Sequence, residues 1–269
     1  MKVEGGTTNI ITAGVDTGMD STKALILKGE ELFEFVILPG GRESTALIAE
    51  RALSLAADKA NLSVTDIDFV VATGEGRNYV NFANQSVPEA ICLAKGIDLL
   101  LPTTRTLLDL GARKSLSIKC GRGRVTKMSA SNKCASGSGA YLGMVANILG
   151  TVISEMSDRY FESKQSLEIQ ATCSVFAETE IISLLHDGAK TEDIISGVFK
   201  GMAERVYSQL LSLGVEKPLA AVGGIARSKA MIAALEGLLG FNILVPENPE
   251  MVGSLGAALI AKQKWSAMS

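Results

Sequence analysis

The sequence predicts an α/β fold made of two related subdomains, and three observations support this prediction. Short apolar runs alternate with amphipathic helical stretches along the chain. An Asp-x-Gly turn between two strands occurs twice, at Asp16-Thr17-Gly18 and at Asp109-Leu110-Gly111. No linker or low-complexity stretch interrupts the pattern. The repeated strand–turn–strand unit indicates a coarse duplication, so we expect two similar subdomains that face each other.

The predicted elements follow from hydrophobic periodicity. The first unit is a meander of strands, and apolar side chains at helical spacing then indicate the first helix. The predicted strands are 10–16, 23–27, 31–38, 69–72, 105–108, 116–119, 124–128, 219–222 and 242–245. The predicted helices are 42–60, 87–96, 140–149, 174–187, 191–213, 228–239 and 252–263. We predict that residues 1–104 with 253–269 form one subdomain and that residues 105–252 form the other.

Composition excludes several classes of protein. The chain has 269 residues, of which 47% are hydrophobic, which is ample material for a core. Its net charge of −3 argues against a disordered chain and against a nucleic-acid partner. We see no secretory signal and no run of the roughly 20 apolar residues that a membrane span needs. The sequence therefore predicts a cytoplasmic protein with no membrane partner.

The histidine and cysteine content narrows the possible chemistry. His186 is the single histidine, which argues against Ser–His catalysis and against histidine-based metal sites. Four cysteines in a predicted cytoplasmic chain argue against a disulfide framework. They leave three alternatives open, namely buried thiols, redox groups and metal ligands.

The first acidic turn has the composition of a phosphate site. Asp16 ends a predicted strand, and Gly18, Ser21, Thr22 and Lys23 follow it. Backbone N–H groups and hydroxyls in such a turn can bind phosphate oxygens, Lys23 can neutralise charge, and Asp16 can hold hydrated Mg²⁺. An ordinary glycine hairpin is the alternative. The spacing fits neither a Walker loop nor a dinucleotide fingerprint.

Three further motifs strengthen the nucleotide hypothesis. Asp109 and Gly111 repeat the acidic turn, so two hairpins could face one Mg–nucleotide across a cleft. Gly223 and Gly224 follow a predicted strand, where adjacent glycines allow close approach of a flat ligand. Small residues from Val252 to Ala258 open the last helix, and tight helix packing alone could explain them.

These turns, in this order, resemble those of the actin/hexokinase/Hsp70 ATPase superfamily, whose fold is two RNase H-like α/β subdomains flanking a nucleotide cleft. Three segments narrow the resemblance to the family of 2-hydroxyacyl-CoA dehydratase activators and benzoyl-CoA reductase ATPase subunits, including the D type. They are Thr73-Gly74-Glu75-Gly76-Arg77, Asn132-Lys133-Cys134-Ala135-Ser136-Gly137-Ser138-Gly139 and Cys173-Ser174-Val175-Phe176-Ala177-Glu178-Thr179-Glu180. The resemblance covers roughly residues 10–262.

The resemblance implies ATP-dependent, low-potential electron transfer through a [4Fe–4S] cluster shared by two subunits. Cys134 and Cys173 would be this chain's two ligands, and a second copy or a paralogous ATPase subunit would supply the others. The N-terminal N–H groups of the helix after Ser138 could then point at the anionic cluster. Glu178 would lie in the nucleotide pocket, or it would simply favour a helix start. The implied partners are a catalytic CoA-ester reductase or dehydratase and a ferredoxin or flavodoxin donor.

One departure from the family pattern concerns the second acidic turn. The activators carry Asp-Ile-Gly-Gly-Gln-Asp there, whereas this chain has Asp109-Leu110-Gly111-Ala112-Arg113-Lys114. Replacement of the Gln and the second Asp changes how Mg²⁺ and water would be positioned. Two alternatives to electron transfer remain from the sequence: a small-molecule kinase of the same fold, and a nucleotide-binding regulatory subunit without a cluster.

Overall fold

A computed structural model of the chain divides into two compact units. One unit comprises the chain up to Pro102, Arg122–Arg124 and the chain from Met251 onward, and the other comprises Thr103–Gly121 and Val125–Glu250. The predicted subdomain boundaries stay a prediction. The residues that the structure describes are 10–29, 31–41, 43–131, 138–165, 167–169 and 174–268.

The first unit contains a five-stranded sheet in the order β3-β2-β1-β4-β5. Its strands are β1 (Ile11–Thr17), β2 (Ser21–Lys28), β3 (Glu31–Pro39), β4 (Phe69–Gly74) and β5 (Gln85–Ser86). β1 pairs antiparallel with β2 and parallel with β4, so it lies at the centre of the sheet. The helices of this unit are α1 (Thr45–Lys59), α2 (Glu89–Leu100) and α8 (Val252–Met268).

Strand β1 is buried on both faces because a helix covers each of them. Ala13 and Val15 pack in one cluster with the buried side of α1. The alternate residues face α8, where the Thr12 hydroxyl donates to the Ala258 carbonyl at 3.3 Å. Residues two apart on a strand share a face, so Gly14 and Asp16 also lie toward α8. The sheet thereby positions Asp16 at the start of that helix.

Glycines let α8 lie very close to its neighbours. A Cβ on Gly14 would come within 2.0 Å of the Ser254 carbonyl oxygen, and one on Gly256 would overlap the Cys92 carbonyl oxygen on α2. The motif from Val252 to Ala258 is therefore explained in part by tight packing, as the sequence allowed. Cys92 itself is fully buried in the core.

The second unit contains a four-stranded sheet in the order β8-β7-β6-β9. Its strands are β6 (Thr106–Leu110), β7 (Ser115–Gly121), β8 (Arg124–Ser131) and β9 (Leu219–Val222). β6 pairs antiparallel with β7 and parallel with β9, which repeats the arrangement around β1. Its helices are α3 (Gly139–Ile148), α4 (Ile153–Arg159), α5 (Ser174–His186), α6 (Thr191–Leu213) and α7 (Lys229–Leu239).

Helix α6 forms the centre of the second core. Its buried side includes Ile195, Phe199 and Met202, all fully buried. These side chains pack in one cluster with buried residues of β6 and β9. Gly197 on the same helix allows the backbone at Leu167 to pass close to α6, since a Cβ on Gly197 would lie 2.1 Å from the Leu167 carbonyl oxygen.

The structure corrects three details of the sequence interpretation. The predicted strand 242–245 is reduced to a single bridge between Leu244 and Ala220, because Pro246 cannot donate to a longer ladder. Helix α4 and strand β5 were not predicted, since both are short. Cys120, near the end of β7, is buried. Within the described residues no helix has the length and apolarity required to traverse a bilayer.

Candidate functional site

Asp16 lies at the end of β1 in a tight pocket formed by glycines. A Cβ on Gly74 would come within 2.5 Å of Asp16 Oδ1, and one on Gly253 within 2.9 Å of Asp16 Oδ2. Gly74 has a φ of +86°, a conformation that L side chains rarely adopt. The N-terminal end of α8 lies beside this carboxylate, and a helix N-terminus favours negative charge.

The Asp16 carboxylate is only partly compensated by its surroundings. Its Oδ2 lies 3.9 Å from Lys23 Nζ, and both side chains are largely buried. Its Oδ1 is buried and has no hydrogen-bond partner among the described residues. An orphaned carboxylate oxygen is costly in a buried site, so a bound cation or a hydrated cation would satisfy it. The donor set therefore fits the Mg²⁺ role predicted for Asp16.

The turn after Asp16 is a narrow hairpin held by its own backbone. The Gly18 N–H donates to the Ser21 carbonyl at 3.0 Å, and Lys23 pairs directly opposite Asp16 in the β1–β2 register. Ser21 is partly exposed, whereas Thr22 is buried and lies opposite Thr17. The backbone turn and Lys23 are thus close to Asp16, while Thr22 is buried on the opposite face of β2 from Lys23.

The second acidic turn has the same backbone construction. The Gly111 N–H donates to the Lys114 carbonyl at 3.0 Å, as Gly18 does to Ser21. Gly223 at the end of β9 has a φ of +86°, and its Cβ would lie 2.5 Å from Asp109 Oδ1. Gly74 and Gly223 hold equivalent positions on the parallel neighbours of β1 and β6. The structure therefore repeats one Asp–Gly pair in both units.

The two acidic turns differ in their charge. The residue that pairs opposite Asp16 is Lys23, whereas the residue opposite Asp109 is the buried Leu116. The second turn carries its positive charges on Arg113 and Lys114 instead, with Arg113 exposed. The cross-strand partner of the carboxylate is thus a cation in the first turn and an apolar residue in the second.

The segment after Gly224 borders a cavity of about 470 Å³. Gly224 has open space around its Cα, since a Cβ added there would meet no atom within 4 Å. Arg227 Nε donates to Glu250 Oε1 at 2.8 Å, and this bond raises the pKa of the guanidinium above its usual value. The residues lining the cavity are Ala226, Arg227, Lys229, Ile232, Ala233, Glu236, Val245, Pro246, Glu247 and Pro249.

A larger cavity, about 560 Å³, lies on the first unit away from the acidic turns. Its lining residues lie on the C-terminal half of α2, from Lys95 to Leu99, and on the C-terminal half of α8, from Leu259 to Ala267. It contains none of the four predicted nucleotide motifs. Size alone therefore does not identify the functional site here.

Both predicted cluster ligands, Cys134 and Cys173, lie outside the described residues. The helices that follow them are described: α3 begins at Gly139 and α5 at Ser174. Phe176 on α5 is 71% exposed, whereas Ala177 and Ile181 on the same helix are fully buried. Glu178 is exposed on α5. The described residues contain no group of three or more His, Cys, Asp or Glu side chains arranged to hold a metal.

The start of α3 has partners other than those expected. The N–H groups of Gly139 and Ala140 donate to the carbonyls of Gly111 and Ala112, at 3.2 and 2.8 Å. Those two N–H groups are therefore engaged by the second acidic turn. The expectation that the N-terminal N–H groups of α3 point at a cluster stays a prediction.

Gly74 and Gly253 are site residues that the sequence interpretation did not assign. Both were seen in motifs, but neither was linked to Asp16. Gly74 ends β4 and Gly223 directly follows β9, and only the parallel pairing of these strands with β1 and β6 links the two glycines to the carboxylates. Gly253 could not be linked to Asp16 without the fold, since 237 positions separate them.

Comparison with known proteins gives a consistent family assignment. The model of the BadF/BadG/BcrA/BcrD ATPase family matches residues 13–261. The 2-hydroxyisocaproyl-CoA dehydratase activator of Clostridioides difficile is 35% identical over 252 residues, which cover 93% of this chain and 94% of that protein. The D-type subunit of benzoyl-CoA reductase from Thauera aromatica is 28% identical over 263 residues, covering 93% and 92%.

Two crystal structures match nearly the whole chain. Component A of (R)-2-hydroxyglutaryl-CoA dehydratase from Acidaminococcus fermentans has a TM-score of 0.92 and 33% identity, covering 96% of this chain and 99% of that one. The activator of the 2-hydroxyisocaproyl-CoA dehydratase from Clostridium difficile, with bound ADPNP, has a TM-score of 0.91 and 34% identity, covering 96% and 97%. These matches confirm the predicted actin-like α/β fold.

Proposed function

Because the chain belongs to the BadF/BadG/BcrA/BcrD ATPase family, we propose that it uses ATP to drive electron transfer to a CoA-ester dehydratase or reductase. The observation that carries the ATP half of this proposal is the repeated Asp–Gly pair. Asp16 and Asp109 each end a central strand against a glycine with a φ of +86°. A related activator that matches this chain over 96% of its length was crystallised with ADPNP.

We assign the nucleotide phosphates and Mg²⁺ to the two acidic turns. The orphaned Oδ1 of Asp16 is suited to a hydrated cation, and Lys23 supplies positive charge beside it. Asp109 is the equivalent carboxylate of the second unit. Backbone N–H groups and hydroxyls of the turns, at Gly18, Ser21, Thr22 and Gly111, would bind phosphate oxygens, with the Thr22 hydroxyl requiring a rearrangement to do so.

The base and ribose would bind beside the segment that follows Gly223 and Gly224. Gly224 leaves the backbone open to a flat ligand, and the adjacent cavity of about 470 Å³ is large enough for a nucleoside. Arg227 is held by Glu250 and so presents a fixed polar edge there. The exposed Glu178 on α5 is a second candidate for contact with the nucleotide.

We propose that Cys134 and Cys173 ligate a [4Fe–4S] cluster together with two cysteines of a second subunit. The cluster would supply one-electron storage at low potential when bound. One chain then forms half of the site, so a second copy or a paralogous subunit is required. Two exposed apolar side chains on the helix after Cys173, Phe176 at 71% and Ile182 at 41%, would be available for a contact between subunits.

The partner is proposed from the relatives. A protein named as a dehydratase activator is 35% identical to this chain, whereas the D-type subunit of benzoyl-CoA reductase is 28% identical. A 2-hydroxyacyl-CoA dehydratase is therefore the favoured electron acceptor, with a benzoyl-CoA-type reductase as the alternative. The electron donor would be a reduced ferredoxin or flavodoxin of the cytoplasm.

Anaerobic purification tests the proposal. We expect a brown protein with about two iron and two sulfide per chain, as a cluster shared by two subunits requires. Cys134→Ala and Cys173→Ala should each abolish the colour and the iron. The buried Cys92 is the matched control, and Cys92→Ala should retain both. A colourless native protein that still binds ATP would contradict the proposal and favour a kinase or a regulatory subunit.

A further inference from the structure

The start of helix α3 is joined directly to the second acidic turn. The N–H of Gly139 donates to the Gly111 carbonyl at 3.2 Å, and the N–H of Ala140 donates to the Ala112 carbonyl at 2.8 Å. The first N–H groups of an α-helix have no partner within the helix and usually bond a capping side chain. The side chain of Ser138, the N-cap residue of α3, makes no such bond. The acidic turn therefore caps α3.

Gly139 also packs between two of the nucleotide motifs. A Cβ on this residue would lie 3.3 Å from Ala112 Cα and 3.5 Å from the Ile225 side chain. Ala112 follows Gly111 in the acidic turn, and Ile225 follows Gly223-Gly224. A displacement of either segment would therefore press on the first residue of α3.

Helix α3 in turn packs against α5. α5 begins immediately after Cys173, and α3 begins five residues after Cys134. The helices that follow the two proposed ligands are thus in contact with each other, and one of them is capped by the turn that carries Asp109. Two backbone hydrogen bonds join that turn directly to the helix.

We propose that this junction, Gly139 and Ala140 against Gly111 and Ala112, transmits nucleotide occupancy at the Asp109 turn to α3. Gly139 and Ala140 are positioning residues in this scheme, since they act through the helix and not on the nucleotide. The inference rests on the proposed function for its biological role. The contacts use backbone carbonyls, so Arg113 and Lys114 can replace the family's Gln and Asp without breaking them.

Replacing Ala140 by proline tests the junction with a small change. Proline removes the N–H that bonds the Ala112 carbonyl, and the first turn of a helix tolerates proline because its N–H has no intrahelical role. The measurement is amide hydrogen exchange along Leu142–Ile148, with and without Mg–ADPNP, on cluster-free protein. We expect Mg–ADPNP to slow amide exchange along this helix in the native protein about fivefold or more. In Ala140→Pro the effect should disappear, with ADPNP affinity retained.

A matched control and a second variant keep the test decisive. Thr191→Pro places the same residue at the start of α6, and it should leave the nucleotide effect on α3 intact. Gly139→Ala retains both N–H groups but adds a Cβ 3.3 Å from Ala112 Cα, and it should weaken the effect if Ala140→Pro does not fold. A nucleotide response in α3 that is the same in the native protein, in Ala140→Pro and in Gly139→Ala would overturn the proposal.

The outcome separates this inference from the proposed function. The exchange measurement needs no iron, so a native protein without a cluster would remove the electron-transfer proposal and leave the junction standing. If the protein contains a cluster but Mg–ADPNP does not change amide exchange in α3, the junction proposal is overturned and the cluster proposal stands.

Discussion

Gly223 lies so close to Asp109 that a Cβ on the glycine would come within 2.5 Å of the carboxylate Oδ1. Gly74 has the same relationship to Asp16 in the other unit. Two carboxylates at the ends of two central strands are therefore held in position by glycines of the parallel neighbours. This repeated pair is the most specific trace of the duplication suggested by the sequence.

Gly223→Ala should damage the site through both strain and steric conflict. A φ of +86° costs an alanine of order 1–3 kcal/mol, and the new Cβ would displace Asp109 or the Leu110 carbonyl. We expect ATPase activity to fall about 100-fold, since a small misplacement of a catalytic group has that effect. Steady-state ATP hydrolysis and thermal unfolding measure the two consequences.

The neighbouring glycine provides the control. Gly224 has no atom within 4 Å of its Cβ position, so Gly224→Ala should retain the fold and the position of Asp109. Because Gly224 is itself proposed to lie beside the base, the two variants are compared by thermal unfolding. Equal stability of Gly223→Ala and Gly224→Ala would show that Gly223 is not in close contact with Asp109.

Asp16→Asn should separate stability from nucleotide binding. The amide removes a buried negative charge whose Oδ1 has no partner among the described residues. The nucleotide-free variant should therefore be more stable than the native protein by about 1 kcal/mol. The native protein should gain about 2.7 kcal/mol from Mg–ATP at 100 times its Kd, and the variant should lose most of that gain.

Chemical denaturation with and without Mg–ATP measures both changes. Lys23→Met is an informative companion, because it removes the cation 3.9 Å from Asp16 and should lower stability and ATP affinity together. A variant Asp16→Asn that binds Mg–ATP with native affinity would exclude Asp16 from the metal site.

The two acidic turns could be predicted because their signal is local. Asp16 and Gly18, like Asp109 and Gly111, stand two positions apart, and the hairpin geometry follows from that short stretch. The partners of these carboxylates could not be predicted in the same way. Gly74 and Gly223 reach them through parallel strand pairing, which has no local sequence signal.

The same distinction explains the details that the sequence missed. Residues 191–213 show a long apolar periodicity, and α6 has those bounds. The segment 242–245 is largely apolar, but only Leu244 joins β9, because the next donor position of the ladder falls on Pro246, which has no N–H. The cap on α3 uses backbone carbonyls of Gly111 and Ala112, so side-chain patterns carry no trace of it.

Gly256→Ala should destabilise the first unit by overpacking. A Cβ on Gly256 would overlap the Cys92 carbonyl oxygen, and that oxygen belongs to the backbone of α2 and cannot rotate away. We expect a loss of about 3 kcal/mol in the free energy of unfolding. Gly237 in α7 has open space at its Cβ position, so Gly237→Ala should instead add about 0.5–1 kcal/mol through helix propensity.

Urea unfolding of the two variants measures these opposite effects. Both substitutions add one methyl group to a helical glycine, so intrinsic propensity alone predicts the same sign for both. A stabilised Gly256→Ala would contradict the close contact between α8 and α2.

Asp193 anchors the chain that leads toward Cys173. Its Oδ1 accepts hydrogen bonds from the Ser163 hydroxyl at 2.8 Å and from the N–H groups of Lys164 and Gln165 at 3.1 and 3.2 Å. These bonds, with that of Ser163 the largest contribution, lower the pKa of Asp193 below 3.8. Asp193→Ala should therefore speed amide exchange at Lys164 and Gln165.

The pH dependence of this anchor has a definite sign. A carboxyl with a lowered pKa stabilises the folded state above its unfolded pKa, and that stabilisation is lost as the pH falls through the folded value. Exchange at Lys164 and Gln165, corrected for its intrinsic pH dependence, should thus be less protected below about pH 4. Ser163→Ala removes one of the three bonds and should give an intermediate effect. Unchanged protection in Asp193→Ala would exclude the anchor.

Cys92 should make the protein sensitive to alkali. Burial raises the pKa of its thiol from 9.0 to about 12, although a hydrogen bond with Thr73 offsets part of that rise. Between these two values the unfolded chain loses this proton and the folded chain keeps it. The free energy of unfolding should therefore fall from about pH 9 upward, by at most about 1.4 kcal/mol per pH unit from this group. Cys92→Ala should flatten that slope, whatever its cost in packing at neutral pH, because the group that titrates is gone. Equal slopes in both proteins, measured by urea unfolding between pH 8 and about pH 11, would show that Cys92 already ionises in the folded state.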